Sequence, residues 1–167
     1  MIIITVAIVA AVILLDQVSK ALILAFLYRG QVDLIEGVLR FTYVENRGMA
    51  FGLLADHRWV FLVLSVIGIS LIAFYLFKFV KRPLSRVGLA LIVGGGIGNM
   101  IDRIAYGFVV DFIDFYLFDF WMWVFNVADA AVCVGAALFV LDLILETVAD
   151  VKKKRAESAD KGEGSDA

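Results

Sequence analysis

Four long apolar stretches, residues 2–27, 59–80, 84–104 and 124–148, take up most of the chain. Each reaches the roughly 20 residues needed to span a hydrocarbon core, so four transmembrane helices are predicted. The first could be read as a cleaved secretory leader, but it lacks a basic start. It also runs on through Asp16 and Lys20 without a small-residue cleavage pattern, so it is expected to be retained. Between the first two stretches, Leu39, Phe41 and Tyr43 alternate with Arg40, Thr42 and Val44, the period of a strand or hairpin, ending at Asn46 and Gly48, which suit a turn. The expected fold is a mainly α membrane protein of four transmembrane helices, with a small extracytoplasmic β-rich segment, about 28–58, between the first and second. Residues 1–150 would form one integral membrane domain. Residues 151–167, polar and without aromatics after Glu157, would form a disordered cytoplasmic tail.

Charge sets the orientation. Lys78, Lys81, Arg82 and Arg86 lie in the link between the second and third stretches, and Lys152, Lys153, Lys154 and Arg155 follow the fourth. The positive-inside rule puts both in the cytoplasm, and with four crossings both termini as well; segments 28–58 and 105–123 then face outward. Arg29, Arg40, Arg47 and Arg58 in the first outer segment oppose this, but Asp33, Glu36, Glu45 and Asp56 offset them. Composition agrees with a membrane protein: 63% hydrophobic and only 19% charged, against roughly 25% charged in soluble domains, with a mean hydropathy of +0.96. One cysteine, Cys133, excludes an internal disulfide, and with the single histidine, His57, it leaves no zinc-type ligand set. No metal, cofactor or nucleic-acid partner is expected.

The polar residues gather at the ends of apolar runs. Asp16 and Lys20 are four apart on one helical face and can neutralise each other, a structural pair with an indirect role. Ser19 beside Lys20 does not make a serine/lysine couple, because adjacent helical residues point about 100° apart. Gly94, Gly95, Gly96 and Gly98 lack the strand and Lys-Ser/Thr of a phosphate loop and suit close helix packing. Asn99 and Asp102 share a face with Arg103 beside it. An aspartate at the centre of a membrane helix costs about 2.5 to 3.5 kcal/mol on insertion scales, so Asp102 needs a partner, and Arg103 could anchor it as a plain ion pair. Asn126 and Asp129 repeat the same N-x-x-D spacing at the head of the last run. Asp111 and Asp129 have no basic residue nearby in sequence, and both can reach the outer boundary. Two carboxylates in a partly dry site share a proton, which is the chemistry of aspartic peptide hydrolysis. Asp114 and Asp119 remain alternatives on spacing alone. Trp121 and Trp123 suit an interfacial belt, and Cys133 suits packing.

Five blocks in order, "DQVSK" at Asp16, "NRGMAF" at Asn46, "GGGIGNMIDR" at Gly94, "GFVVDF" at Gly107 and "FNVADA" at Phe125, resemble the bacterial lipoprotein signal peptidase (signal peptidase II) family across residues 2–148. The resemblance implies an aspartic peptidase of the bacterial inner membrane, needing no cofactor, with its active site at the extracytoplasmic face. It implies catalysis by Asp111 and Asp129, and substrate or globomycin contact by Asn46 and Arg103. Asp16, Lys20, Asn99, Asp102 and Asn126 would support the site. The implied substrate is a diacylglyceryl-modified prolipoprotein cut before its lipidated cysteine, with membrane lipid as the other partner and a monomer as the working state. An extended peptide adding to the strand at Phe41 to Val44 would fit such a substrate. A small ion-coupled transporter is the alternative from another class, although it would favour acids near the bilayer midplane.

Overall fold

The structure, a computed structural model, describes residues 2–28, 30–47, 58–116 and 123–163, and absences and counts below refer to these. Gly48, Asp56, His57, Asp119 and Trp121 lie outside them. There are four helices, α1 (Ile2–Phe26), α2 (Arg58–Lys78), α3 (Pro83–Ala105) and α4 (Val127–Glu163). Strands β1 (Gln31–Ile35) and β2 (Leu39–Asn46) lie between α1 and α2, and β3 (Val109–Phe115) and β4 (Trp123–Phe125) between α3 and α4.

Three helices are long and apolar enough to cross a membrane: α1, α3 and the Val127–Arg155 part of α4. The unbroken apolar part of α2, Leu62–Lys78, is shorter. The burial pattern suits lipid as the solvent. The residues α1 buries are Thr5, Val12, Asp16, Lys20 and Ile23, three of them polar, while Ile3, Leu14, Leu15 and Leu22 face outward. Hydrocarbon offers a polar group no partner, so polar side chains turn inward to one another. Helix α4 runs through the basic stretch to Glu163, where the sequence suggested disorder. The Ala, Glu and Lys residues there are good helix formers and continue the helix beyond the apolar part.

Helix α3 is the hub and packs against the other three helices. Its glycines allow this closeness: a Cβ on Gly88 would lie 2.6 Å from the carbonyl oxygen of Gly135 in α4, and one on Gly98 would lie 2.6 Å from Asp16 Oδ2 in α1. At the end remote from the sheet, Leu76, Val80, Leu89, Ala90 and Val93 form an apolar cluster between α2 and α3. Helix α3 has no side-chain cap of its own. Asp142 of α4 supplies one, accepting from Ser85 Oγ at 2.5 Å and Ser85 N at 3.3 Å. Arg82 binds the same carboxylate at 2.8 and 2.7 Å.

The strands form one antiparallel sheet in the order β1-β2-β3-β4. Gly37, at φ 77°, turns β1 into β2, and Gly107, at φ 82°, turns the end of α3 into β3. The β-rich part is therefore not confined to the first connection: half of its strands come from the link between α3 and α4. Strand β2 lies inside the sheet, flanked by β1 and β3, and β1 pairs with it over Leu39 to Thr42, so the expected addition of a peptide is corrected at Phe41 and Thr42, where β1 already takes that edge.

Candidate active site

The C-terminal halves of α1 and α3, the N-terminus of α4, and strands β2 and β3 converge at one end of the bundle. Asn126 is the N-cap of α4. Its Oδ1 accepts from Asp129 N at 2.8 Å, and its own N–H points back to Asp129 Oδ2 at 3.4 Å, a reciprocal capping pair that explains the N-x-x-D spacing. A second free N–H of the helix, at Ala128, donates at 3.0 Å to Asp16 Oδ1, brought across from α1. Capping groups of this kind are each worth about 1 kcal/mol.

Strand β3 is held by side chains where β4 does not reach. Val110 N donates to Asp102 Oδ2 at 3.0 Å, and Val110 O accepts from Asn126 Nδ2 at 3.3 Å. These two side chains stand in for a neighbouring strand and fix Asp111, the next residue. Asp111 is only 2% exposed. Its Oδ1 accepts from Asn126 Nδ2 at 2.6 Å and its Oδ2 from Asn46 Nδ2 of β2 at 2.8 Å. Asp129 Oδ1 accepts from Asn99 Nδ2 at 2.8 Å. Asp111 and Asp129 thus stand on either side of Asn126, close enough for each charge to act on the other. Burial is the largest influence on Asp111 and pushes its carboxyl up to about 6; the Asn46 amide opposes this, the Asp129 charge adds to it, and Asn126 and Lys20 oppose it.

Beneath the pair, Lys20 Nζ lies 2.8 Å from Asp16 Oδ2, 2.8 Å from Asp102 Oδ2 and 3.1 Å from Asn99 Oδ1. Asp102 is therefore partnered by Lys20, and the ion pair expected with Arg103 is corrected: neighbours on a helix diverge, whereas Lys20 approaches the Asp102 face from α1. Arg103 donates to Asn99 O at 3.3 Å and is within electrostatic reach of Asp129, Asp111 and Asp102. Asp114, the alternative acid, is held elsewhere. It bonds Arg40 Nε at 2.6 Å, and the Arg40 guanidinium lies over the Tyr116 ring. Three positions apart on a strand, Asp111 and Asp114 face opposite sides of the sheet.

Every predicted site residue is thus near the same end of the bundle: Asn46, Asn99, Asp102, Arg103, Asp111, Asn126 and Asp129 directly, with Asp16 and Lys20 joined through Asp102, Asn99 and Ala128. Sequence reasoning missed Gln17, whose amide donates to Asp102 Oδ1 at 2.9 Å, Asp16 Oδ2 at 3.2 Å and Gly98 O at 3.2 Å. Its position in an apolar span between Asp16 and Lys20 was the available signal. No cluster of three or more His, Cys, Asp or Glu side chains fit to hold a metal occurs among the described residues.

The family model described as signal peptidase (SPase) II matches residues 8–145. The chain belongs to the signal peptidase II family. Curated relatives named lipoprotein signal peptidase agree. That of Syntrophomonas wolfei is 43% identical over 81% of this chain and 89% of its own. That of Symbiobacterium thermophilum is 44% identical over 85% and 93%, and that of Halothermothrix orenii 42% identical over 81% and 92%. A solved structure of a bacterial membrane enzyme superposes with a TM-score of 0.78 at 29% identity, covering 86% of this chain and 88% of that one. A second gives 0.77 at 29% identity, covering 83% and 91%.

Proposed function

We propose that the chain is an aspartic endopeptidase that removes the signal peptide from a diacylglyceryl-modified prolipoprotein, cutting before the lipidated cysteine. Family membership makes it a membrane peptidase that processes prolipoproteins. The observation that carries the finer mechanism is the pair Asp111 and Asp129 on either side of Asn126. Asp111, whose carboxyl burial pushes up, enters the reaction carrying the one proton of the pair. A water attacks the scissile carbonyl carbon, giving its proton to Asp129, while Asp111 protonates the carbonyl oxygen to form a gem-diol. On collapse Asp129 protonates the leaving nitrogen, the C–N bond breaks, and Asp111 recovers a proton from the diol. Asn46 and Arg103, at the rim of the pair, handle substrate, and Asp16, Lys20, Asn99, Asp102 and Asn126 hold the site.

The same reading makes the chain a four-span monomer of the bacterial inner membrane, α2 included, with both termini cytoplasmic and the site outward. Supporting this, Lys78, Lys81, Arg82 and Arg86 lie at the helix ends remote from the sheet. The transporter alternative is not favoured: the acids of the site gather at one end of the bundle, and Asp142 at the other is bound by Arg82 and Ser85.

The test is release of signal peptide from diacylglyceryl-modified prolipoprotein by purified protein, with EDTA and a thiol-blocking reagent present. Full activity is expected. Loss on chelation, restored by zinc, contradicts the mechanism.

A further inference from the structure

The Lys20 ammonium forms ion pairs with Asp16 Oδ2 and Asp102 Oδ2 and donates a hydrogen bond to Asn99 Oδ1. The third bond has a directional consequence. Asn99 Oδ1 also accepts from Asn126 Nδ2 at 3.1 Å, so two donors converge on that oxygen. Turning the Asn99 amide over would set its NH2 against an ammonium and another amide NH2, donors facing donors. Its Nδ2 therefore aims the other way, at Asp129 Oδ1, 2.8 Å away. Asn126 needs no remote help, because its Oδ1 is held by the first turn of α4 through Asp129 N. Asn99 has no such local lock.

We propose that Lys20 is a positioning residue for peptide cleavage: by holding Asn99 Oδ1 it keeps the Asn99 amide donating to Asp129. The inference rests on the peptidase reading above. Without Lys20, Asn99 Oδ1 keeps only the bond from Asn126 Nδ2, whose two protons are shared among three acceptors, and the Asn99 NH2 is drawn toward the stranded carboxylates of Asp16 and Asp102 and away from Asp129. The buried cation thus acts on the water-activating carboxylate through one side-chain amide, beyond balancing the charges of Asp16 and Asp102.

Charge balance and amide orientation are separated by the double variant Lys20→Met/Asp102→Asn, which loses one positive and one negative charge and leaves the net charge of the trio unchanged. It is assayed as full-length protein in detergent, with diacylglyceryl-modified prolipoprotein as substrate and thermal unfolding as the check on folding. The orientation role predicts a folded protein with KM within about twofold of the parent and kcat lower by about 100-fold, the scale of a misaligned reacting group. A kcat within about threefold of the parent overturns it. If the double variant does not fold, Asn99→Asp decides, since it keeps Lys20 paired while setting a carboxylate oxygen against Asp129. A loss of about 100-fold in kcat at near-constant KM supports the proposal, and near-parental kcat overturns it. Failure of the unmodified protein to cleave at all would instead remove the peptidase reading itself.

Discussion

Asp111 sits where several weak influences meet, which makes its titration informative. Burial pushes its carboxyl up to about 6. If the singly protonated pair is the working form, kcat/KM should fall as pH rises through about 6, with a second fall in acid as the pair takes up its second proton. The donor from Asn46 pulls the Asp111 carboxyl down, so Asn46→Ala should move the alkaline limb of kcat/KM to higher pH, whatever it does to KM. A limb that stays in place or moves to lower pH would show that this bond does not govern the proton. Much of this neighbourhood was legible in the residues: Asn99, Asp102, Asp111, Asn126 and Asp129 stand out as polar groups in an apolar chain, which must find them partners. Which of Asp111 and Asp114 joins Asp129 was not legible from spacing, because that depends on which face of a strand each occupies. The resemblance named Asp111; in the fold the two acids differ in partner, Arg40 for Asp114 and Asn46 for Asp111.

Among the elements, the polar helix ends are tied together across the bundle. Asp16 of α1 caps α4, and Asp142 of α4 caps α3. The first cap depends on a missing side chain, since a Cβ at Gly98 would come within 2.6 Å of Asp16 Oδ2. Gly98→Ala should therefore displace Asp16, leave Ala128 N–H unsatisfied and lower stability by about 1 to 3 kcal/mol, measured as thermal unfolding in detergent. Gly68→Ala in α2 meets nothing within 4 Å and should be neutral or stabilising by up to about 1 kcal/mol. Equal effects at the two sites would contradict the packing account. The helices were readable from apolar length and the β1–β2 hairpin from alternation. Strand β3 was not: Asp111 and Asp114 fall on opposite faces of "VVDFIDF", so no two-residue period shows. Its partner β2 also lies far back in the chain. The bond from Lys20 to Asp102 was hidden for the same reason, being a contact between separate helices.

For the whole molecule, a bundle with polar side chains turned inward and leucines, isoleucines and phenylalanines outward needs apolar surroundings, lipid or detergent, and the proposed orientation rests on its basic links. A reporter fused after Lys154 should read as cytoplasmic and one inserted near Asp33 as external; the reverse pattern would put the site on the wrong face. That bundle exists, on this account, to hold two carboxylates at the membrane boundary with one proton between them. The most direct test is the cleavage rate of diacylglyceryl-modified prolipoprotein by purified Asp111→Asn, Asp129→Asn, the double variant and Asp114→Asn, each first shown to be folded. The account predicts losses of about 1,000-fold or more for each of the first two, a double variant little worse than either because the pair acts as one unit, and substantial activity in Asp114→Asn. Substantial turnover by folded Asp111→Asn, with folded Asp114→Asn inactive, would contradict it.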